Sequence, residues 1–311
     1  MKYGDKITVV SLCYENYNLL YETIDSVINQ DYCNIEYIIS DDGSSRFPVN
    51  EIKNYIQLHN KGNIKNIIVR KNETNLGTVK HENIVCNISQ GEYIVELSCG
   101  DTFVDSTILE KIVKKIIFNN DDLLVFRRLV CDESGKELYY LPHTRVINKL
   151  LHMEKNDQYE AFVGGHFWEM ASGCAMAYKR EFIVNMKFDE RYTLLEDYPF
   201  FTKYTWENKI NCCYDIVAIR YALGGVSNTP NLIIKKDMNK YNQYDRIEHF
   251  NTLSFFAKEK VRYQLLRSKC KFKLYFIVRF PHVMVWLILY KINEKIGAFQ
   301  DHKILSNKQI Y

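Results

Sequence analysis

The first 126 residues alternate short β-branched runs with amphipathic helical stretches, an order that few folds accept. Apolar runs at residues 7–13, 35–40, 66–70, 92–97 and 123–126 have the length and composition of buried strands. Between the first two, Asn18 can cap a helix whose Leu20, Ile24, Val27 and Ile28 share one face. Residues 51–60 predict a second helix. Ile84, Val85 and Ile88 mark a third, stopped by Gly91. A fourth opens at Asp105 and carries Ile108, Leu109, Ile112, Val113, Ile116 and Ile117 at helical spacing. Strand and helix in this order predict an α/β fold: an open, mostly parallel sheet with helices on both faces.

Beyond residue 130 the alternation fails. Residues 132–170 carry few periodic signals and are expected to loop over the sheet. Residues 172–178 and 211–222 read as strands, and 195–207 as a helix opened by acidic residues. Gly224-Gly225-Val226-Ser227 breaks the last strand, as an ordinary turn or as backbone N–H groups closing over a diphosphate. From about 232 the pattern is helical. The expected division is a domain over 1–231, with halves of about 1–126 and 127–231, and a helical extension over 232–311.

Residues 258–295 hold ten Lys or Arg against two acidic residues, a local charge of +8. Within them lies the mostly apolar stretch 274–290, interrupted by Arg279, Pro281 and His282. A spanning helix wants ~20 apolar residues without a central charge. The stretch therefore reads as an interfacial segment, peripheral on a membrane surface, or as a packed helix with a solvated basic face. Elsewhere charge is balanced: 41 basic and 38 acidic residues give +3, against wholesale nucleic-acid binding. Nine cysteines without a CxxC pair read as free thiols in a reducing compartment. No signal-peptide pattern opens the chain, so a cytoplasmic location is expected.

Ligands of open α/β sheets bind beyond the carboxyl ends of the strands. Three polar segments stand there: Tyr14-Glu15-Asn16-Tyr17, Asp41-Asp42-Gly43-Ser44 and Ser98-Cys99-Gly100-Asp101-Thr102. An acidic side chain at such a place can accept a nucleobase N–H or hold a divalent cation against a diphosphate. Asp42 reads equally as a turn former, since Asp-Gly is a common turn dipeptide. Farther along, Glu196-Asp197 sits at a helix start. There the helix dipole is expected to keep a carboxylate ionised, as a general base requires, although a capping pair has the same pattern. Lys80 and His81 are candidate basic helpers by position, and Cys99 reads as a packing residue. His152, His166 and Trp168 could meet a sugar or pack in a loop.

In order, the segments Ile7-Thr-Val-Val-Ser, Tyr14 with Asn16, Ser26-Val-Ile-Asn-Gln-Asp-Tyr32, Glu36-Tyr-Ile-Ile-Ser-Asp-Asp-Gly-Ser44, Asn75-Leu-Gly77, Asn83, Gly91-Glu-Tyr-Ile94, Ser172-Gly173, Phe188-Asp-Glu190 and Glu196-Asp197 resemble glycosyltransferase family 2. The resemblance runs from residue 5 to about 228. It implies a GT-A fold, with a nucleotide-sugar half fused to an acceptor half, and inverting transfer. By position it implies Tyr14 packed against uracil and Asp42 on the base's N3–H. Asn75, Gly77 and Asn83 would border the sugar and diphosphate. Asp197 would be the catalytic base and Glu196 its supporting or acceptor-contacting neighbour. The family's acidic metal motif is here Ser98-Cys99-Gly100-Asp101, so Asp101 alone would meet Mg²⁺ or Mn²⁺.

The reaction implied is a single displacement from a nucleotide-sugar, most simply a UDP-sugar, to a glycan or polyprenyl-linked acceptor at the inner face of the cell membrane, in cell-surface polysaccharide synthesis. A catalytically weak nucleotide- or glycan-binding member of a membrane assembly is the alternative. A nucleotidyltransferase would show a Gly-rich, basic loop after the first strand, where Tyr14-Glu15-Asn16-Tyr17 stands instead.

Overall fold

The structure, a computed structural model, describes residues 4–15, 17–132, 134–165, 173–222, 231–267 and 273–308. Asn16, His166, Trp168, Ser172 and the Gly224-Gly225-Val226-Ser227 turn lie outside the described residues. The chain runs β1 (Ile7–Cys13), α1 (Leu20–Ile28), β2 (Ile35–Asp41), α2 (Val49–His59), β3 (Ile64–Lys71), α3 (Thr78–Ile88), β4 (Tyr93–Glu96), β5 (Thr102–Phe103), α4 (Ile108–Asn119) and β6 (Leu123–Cys131). It continues through β7 (Glu137–Leu141), α5 (Thr144–Leu151), α6 (Lys155–Val163), β8 (Met176–Lys179), α7 (Arg180–Met186), α8 (Asp197–Glu207), β9 (Cys212–Ala222), α9 (Leu232–Gln243), α10 (Phe255–Arg267), α11 (Lys273–Arg279) and α12 (Pro281–Lys308).

The strands form one sheet in the order β3-β2-β1-β4-β8-β6-β9-β5, with β7 on β6. The four strands β3, β2, β1 and β4 are parallel. Beyond them the sheet is mixed: β8 is antiparallel to β4 and β6, β7 to β6 and β5 to β9, while β6 and β9 run parallel. Thus the mostly parallel expectation holds for the first half, and the second half is mixed. The strand period of two divides the core. Ile7, Val9, Ile35, Tyr37, Ile39, Tyr93 and Val95 face α1, α2 and α4. Val10, Ile38 and Ile94 face the layer holding Val79 and Val85 of α3, Ile183 of α7, Phe200 and Phe201 of α8 and Tyr241 of α9.

One expectation changes. Residues 132–170 contain β7, α5 and α6 as well as loop. Their periods are short: Ile147 and Leu150 of α5 and Ala161 and Phe162 of α6 suffice to anchor them on the second core layer. Packing is also continuous across residue 231. Tyr241 is fully buried in that same layer, and the carboxylate of Asp237 accepts the backbone N–H groups of Thr193 and Leu194, both at 2.8 Å.

The stretch read as interfacial is divided at Pro281 into α11 and α12. Phe276, Phe280 and Val283 bury one side against Tyr263. Val285, Ile288, Leu289, Ile292, Ile296 and Phe299 stay exposed, at spacings of three and four that put them on one face of α12. Among the described residues no helix is long and apolar enough to cross a membrane.

Candidate active site

At the carboxyl edge of the parallel strands the loops are tied to one another. The Ser44 hydroxyl accepts the Glu15 N–H at 2.6 Å, and the Glu15 carboxylate accepts the Ser45 N–H at 2.9 Å. Glu15 adopts a positive φ of 52°, and the preceding Tyr14 ring is 52% exposed at this edge. Asp41 turns inward and takes the Ser44 N–H at 2.7 Å, closing the turn.

Asp42 is buried and holds the following loop. Its Oδ1 accepts from the Asn72 amide at 2.8 Å and the Leu76 N–H at 2.9 Å, and its Oδ2 from the Gly77 N–H at 2.9 Å. A carboxylate has about four acceptor positions, so one remains for a ligand. Gly43 is required here: at φ +84°, a Cβ would lie 2.6 Å from the Thr74 carbonyl carbon. Asn75 is exposed and caps the Gly77 N–H at 3.1 Å.

Gly77 joins this loop to the second half of the site. A Cβ there would lie 2.5 Å from Thr193 Cγ2, and the Val79 N–H donates to the Thr193 carbonyl at 3.2 Å. Thr193 opens the segment ending in Glu196 and Asp197, which Asp237 grips from behind. Asp237 went unnoticed in the sequence because it sits in a lysine-rich helix that reads as solvated.

Glu196 precedes α8 at the N-cap position without a side-chain capping bond, and Asp197 is the first residue of the helix. Asp197 remains partly open and accepts the Tyr198 N–H at 2.8 Å. The expectation that the helix dipole holds this carboxylate low is overturned. Burial lifts Asp197 to about 6, against the opposing pull of the Tyr198 N–H and Arg128. It is then about ten to one ionised at neutral pH. Glu196 is pushed well above the ordinary carboxylate range by burial and by Asp197. Of the two neighbours, Asp197 is thus the one that ionises more readily.

Asp101 is buried after β4, its N–H bonded to the Ser98 carbonyl at 2.9 Å. The chain passes into it through Gly100 at φ +97°. Among the described residues no group of three or more His, Cys, Asp or Glu could hold a metal ion. The donor set therefore fits a divalent cation only as a single-carboxylate site completed by a diphosphate and water. Cys99 does have a thiol neighbour, distant in sequence: Cys13 hydrogen-bonds to it, which with burial raises the Cys13 thiol.

The structure places four further candidates. The Asn83 amide is committed to the Phe188 N–H and carbonyl, both at 2.9 Å, and to Glu190 at 3.0 Å. It braces the segment that leads to Glu196 and Asp197. His81 is buried, bonds Ser40 at 2.6 Å, and is lowered chiefly by burial, so it is neutral at neutral pH and offers no cation. Lys80 is exposed. His152 caps the end of α5 through the Asn148 carbonyl at 2.6 Å.

The sequence pattern of Glycosyl transferase family 2 matches residues 8–185, more than half of the chain. The chain belongs to this family. It is similar to GlyA, a glycosyltransferase of Streptococcus pneumoniae, at 27% identity over 45% of this chain but only 19% of that protein's length. An uncharacterised glycosyltransferase of Haemophilus influenzae is 28% identical over 70% of this chain and 78% of its own. The fold is like that of S. aureus TarS in complex with UDP-GlcNAc, with a TM-score of 0.61, 18% identity, and coverage of 85% of this chain and 72% of that one. It is also like the Pyrobaculum calidifontis mannosyltransferase PcManGT in complex with GDP-Man and Mn²⁺, with a TM-score of 0.52, 12% identity, and coverage of 98% and 88%. The protein is a glycosyltransferase with a GT-A-type fold.

Proposed function

We propose that this family 2 glycosyltransferase moves a sugar from a UDP-sugar to a glycan or polyprenyl-linked acceptor, inverting the anomeric carbon in one displacement. The observation that carries this reading is the Gly77–Thr193 contact, which makes the Asp42 loop and the Asp197 segment one continuous rim. Tyr14 would stack on the base and Asp42 would use its remaining acceptor position on the base's N3–H. Asn75 and Gly77 would border the sugar and diphosphate. Asp197 would take the acceptor hydroxyl proton as that oxygen attacks the anomeric carbon and the bond to the diphosphate breaks. Relatives of the same fold, named as complexes with UDP, UDP-GlcNAc or GDP-Man, support a nucleotide-sugar donor.

The direct test is UDP release from UDP-sugars with and without acceptor. Asp197→Asn should lower transfer by ~10²–10⁴ while donor binding, read by thermal shift, stays within a few-fold. Turnover above about a tenth of wild type would remove Asp197 from this role. Donor binding without turnover by the wild-type protein would favour a glycan- or nucleotide-binding role instead.

A divalent cation, held by Asp101 and the donor's diphosphate, would neutralise charge on the leaving group. EDTA should stop transfer, and Asp101→Ala should weaken Mn²⁺ binding in the presence of UDP. Full activity in EDTA would assign leaving-group stabilisation to the protein's own dipoles and cations.

The protein would work peripherally on the cytoplasmic face of the membrane, where a lipid-linked acceptor in cell-surface polysaccharide synthesis is presented. The basic surroundings and exposed apolar face of α12 support this reading.

A further inference from the structure

Behind the Glu196–Asp197 pair lies a second pair of carboxyl groups that the transfer reaction does not use. Glu96 is the last residue of β4. By strand alternation it lies on the Ile94 side of the sheet, under α3 and α8. Glu82 descends onto it from α3. Both are buried, at 2% exposure for Glu82 and 8% for Glu96, in a layer otherwise made of Val79, Val85, Tyr178, Leu195 and Phe200. They hydrogen-bond carboxyl to carboxyl, and the Tyr178 hydroxyl also bonds Glu96. The Oε1 of each finds no partner among the described residues.

Two carboxyl groups in contact inside an apolar layer cannot both be ionised at tolerable cost. One must carry a proton and donate it to the other. Burial, then Glu96, pushes Glu82 well up, while the bonds from Glu82 and Tyr178 partly offset the rise at Glu96. The Tyr178 hydroxyl donates to Glu96 and not to Glu82, so the charge is best placed on Glu96, with Glu82 as the donor.

The pair reaches the active site through an absent side chain. A Cβ on Gly173 would lie 3.0 Å from Oε1 of Glu196 and 3.4 Å from Oε2 of Glu96. The two carboxyl groups thus face each other across the space that glycine leaves open. The ionisable groups acting on this cluster are Glu82 and Cys86 from α3, Tyr178 from β8, Arg128 from β6, Asp237 from α9, and Glu196 and Asp197 themselves.

We propose that Glu82 and Glu96 hold one proton between them and, across the gap at Gly173, keep Glu196 in its acid form, so that Asp197 alone is left to accept a proton. Glu82 and Glu96 are positioning residues: they decide which member of the neighbouring pair is the base. The inference rests on reading Asp197 as that base.

Infrared spectroscopy and pH–rate profiles of the full chain test it. The wild type should show carbonyl stretches of protonated carboxylic acids at neutral pH. Glu82→Gln should remove one of them yet keep the acid limb of the rate profile, because the glutamine amide still donates to Glu96. In Glu82→Leu, Glu96 loses its donor and takes up the proton itself. In Glu96→Gln the charge is gone. Both variants should let Glu196 ionise and move the acid limb of kcat upward by about one pH unit, with donor KM little changed. The proposal is overturned if the wild type shows no such band, if both variants keep the wild-type limb, or if Glu82→Gln shifts it as far as Glu82→Leu. The infrared band needs no turnover and is read on the wild type. Should Asp197→Asn stay active, the base assignment would fall while the proton-sharing pair could still be judged.

Discussion

Asp197 is held in a surrounding that sets stability against activity. Its value in the folded protein, about 6, lies above the ordinary 3.8 of an aspartate. A carboxyl raised in this way favours the folded state at low pH and loses that contribution as pH rises through the folded value. In the proposed role as base Asp197 must be ionised, so turnover should climb over the window in which the melting temperature declines. Between about pH 4 and 6 the two curves should run in opposite directions, and Asp197→Asn should flatten the Asp197 part of the stability curve. Parallel rise of both curves would mean that Asp197 is not titrating in this range. Glu82, Glu96 and Glu196 are shifted in the same direction and add to the decline at higher pH.

Elements that bury a whole face were legible in the amino-acid sequence; elements that are short or discontinuous were not. The strands β1, β2 and β4 were expected within a residue or two, because both of their faces are apolar. The segments β7, α5 and α6 were missed, since five, eight and nine residues hold no more than about two and a half repeats of their period. At the site, the residues beside glycines stood out. Those acting through the backbone did not: Asp42 as the clamp of residues 72–77 and Asp237 as the grip on Thr193 are visible only once the chain is folded. Glu96 was a charged residue inside an apolar strand, a signal that could have been read. Helix α12 carries its own prediction. Val285, Ile288 and Ile292 are 57%, 57% and 48% exposed, so serine at all three should leave the fold intact. Flotation with anionic liposomes should weaken by at least about tenfold in that variant, and high salt should weaken only the remaining, basic part. Unchanged flotation would assign membrane attachment elsewhere; sedimentation of the wild type at low salt would end the membrane reading.

Across the whole molecule, α12 is bound into the sheet as well as laid on its surface. Fully buried Asp301 takes the Thr144 hydroxyl at 2.7 Å and pairs with His143 at 3.0 Å and Arg127 of β6 at 3.5 Å. Gly297 lets the helix come this close, since a Cβ there would meet the His143 side chain at 3.1 Å. Removing the C-terminal helices would leave Arg127 and His143 facing a vacated layer, which makes truncation a poor probe of membrane attachment. Asp301→Ala should cost about 3–5 kcal/mol in chemical denaturation, the usual penalty for leaving one side of a buried ion pair uncompensated. A loss below about 1 kcal/mol would show that the cluster is hydrated and replaceable. The same contact has a consequence for synthesis. His143 and Asp301 are 158 residues apart along the chain, so the strand region around β6 leaves the ribosome long before its counter-charge exists. Until that partner is translated, the half-built sheet lacks the carboxylate that Arg127 and His143 share. Closure of this layer should therefore wait for α12.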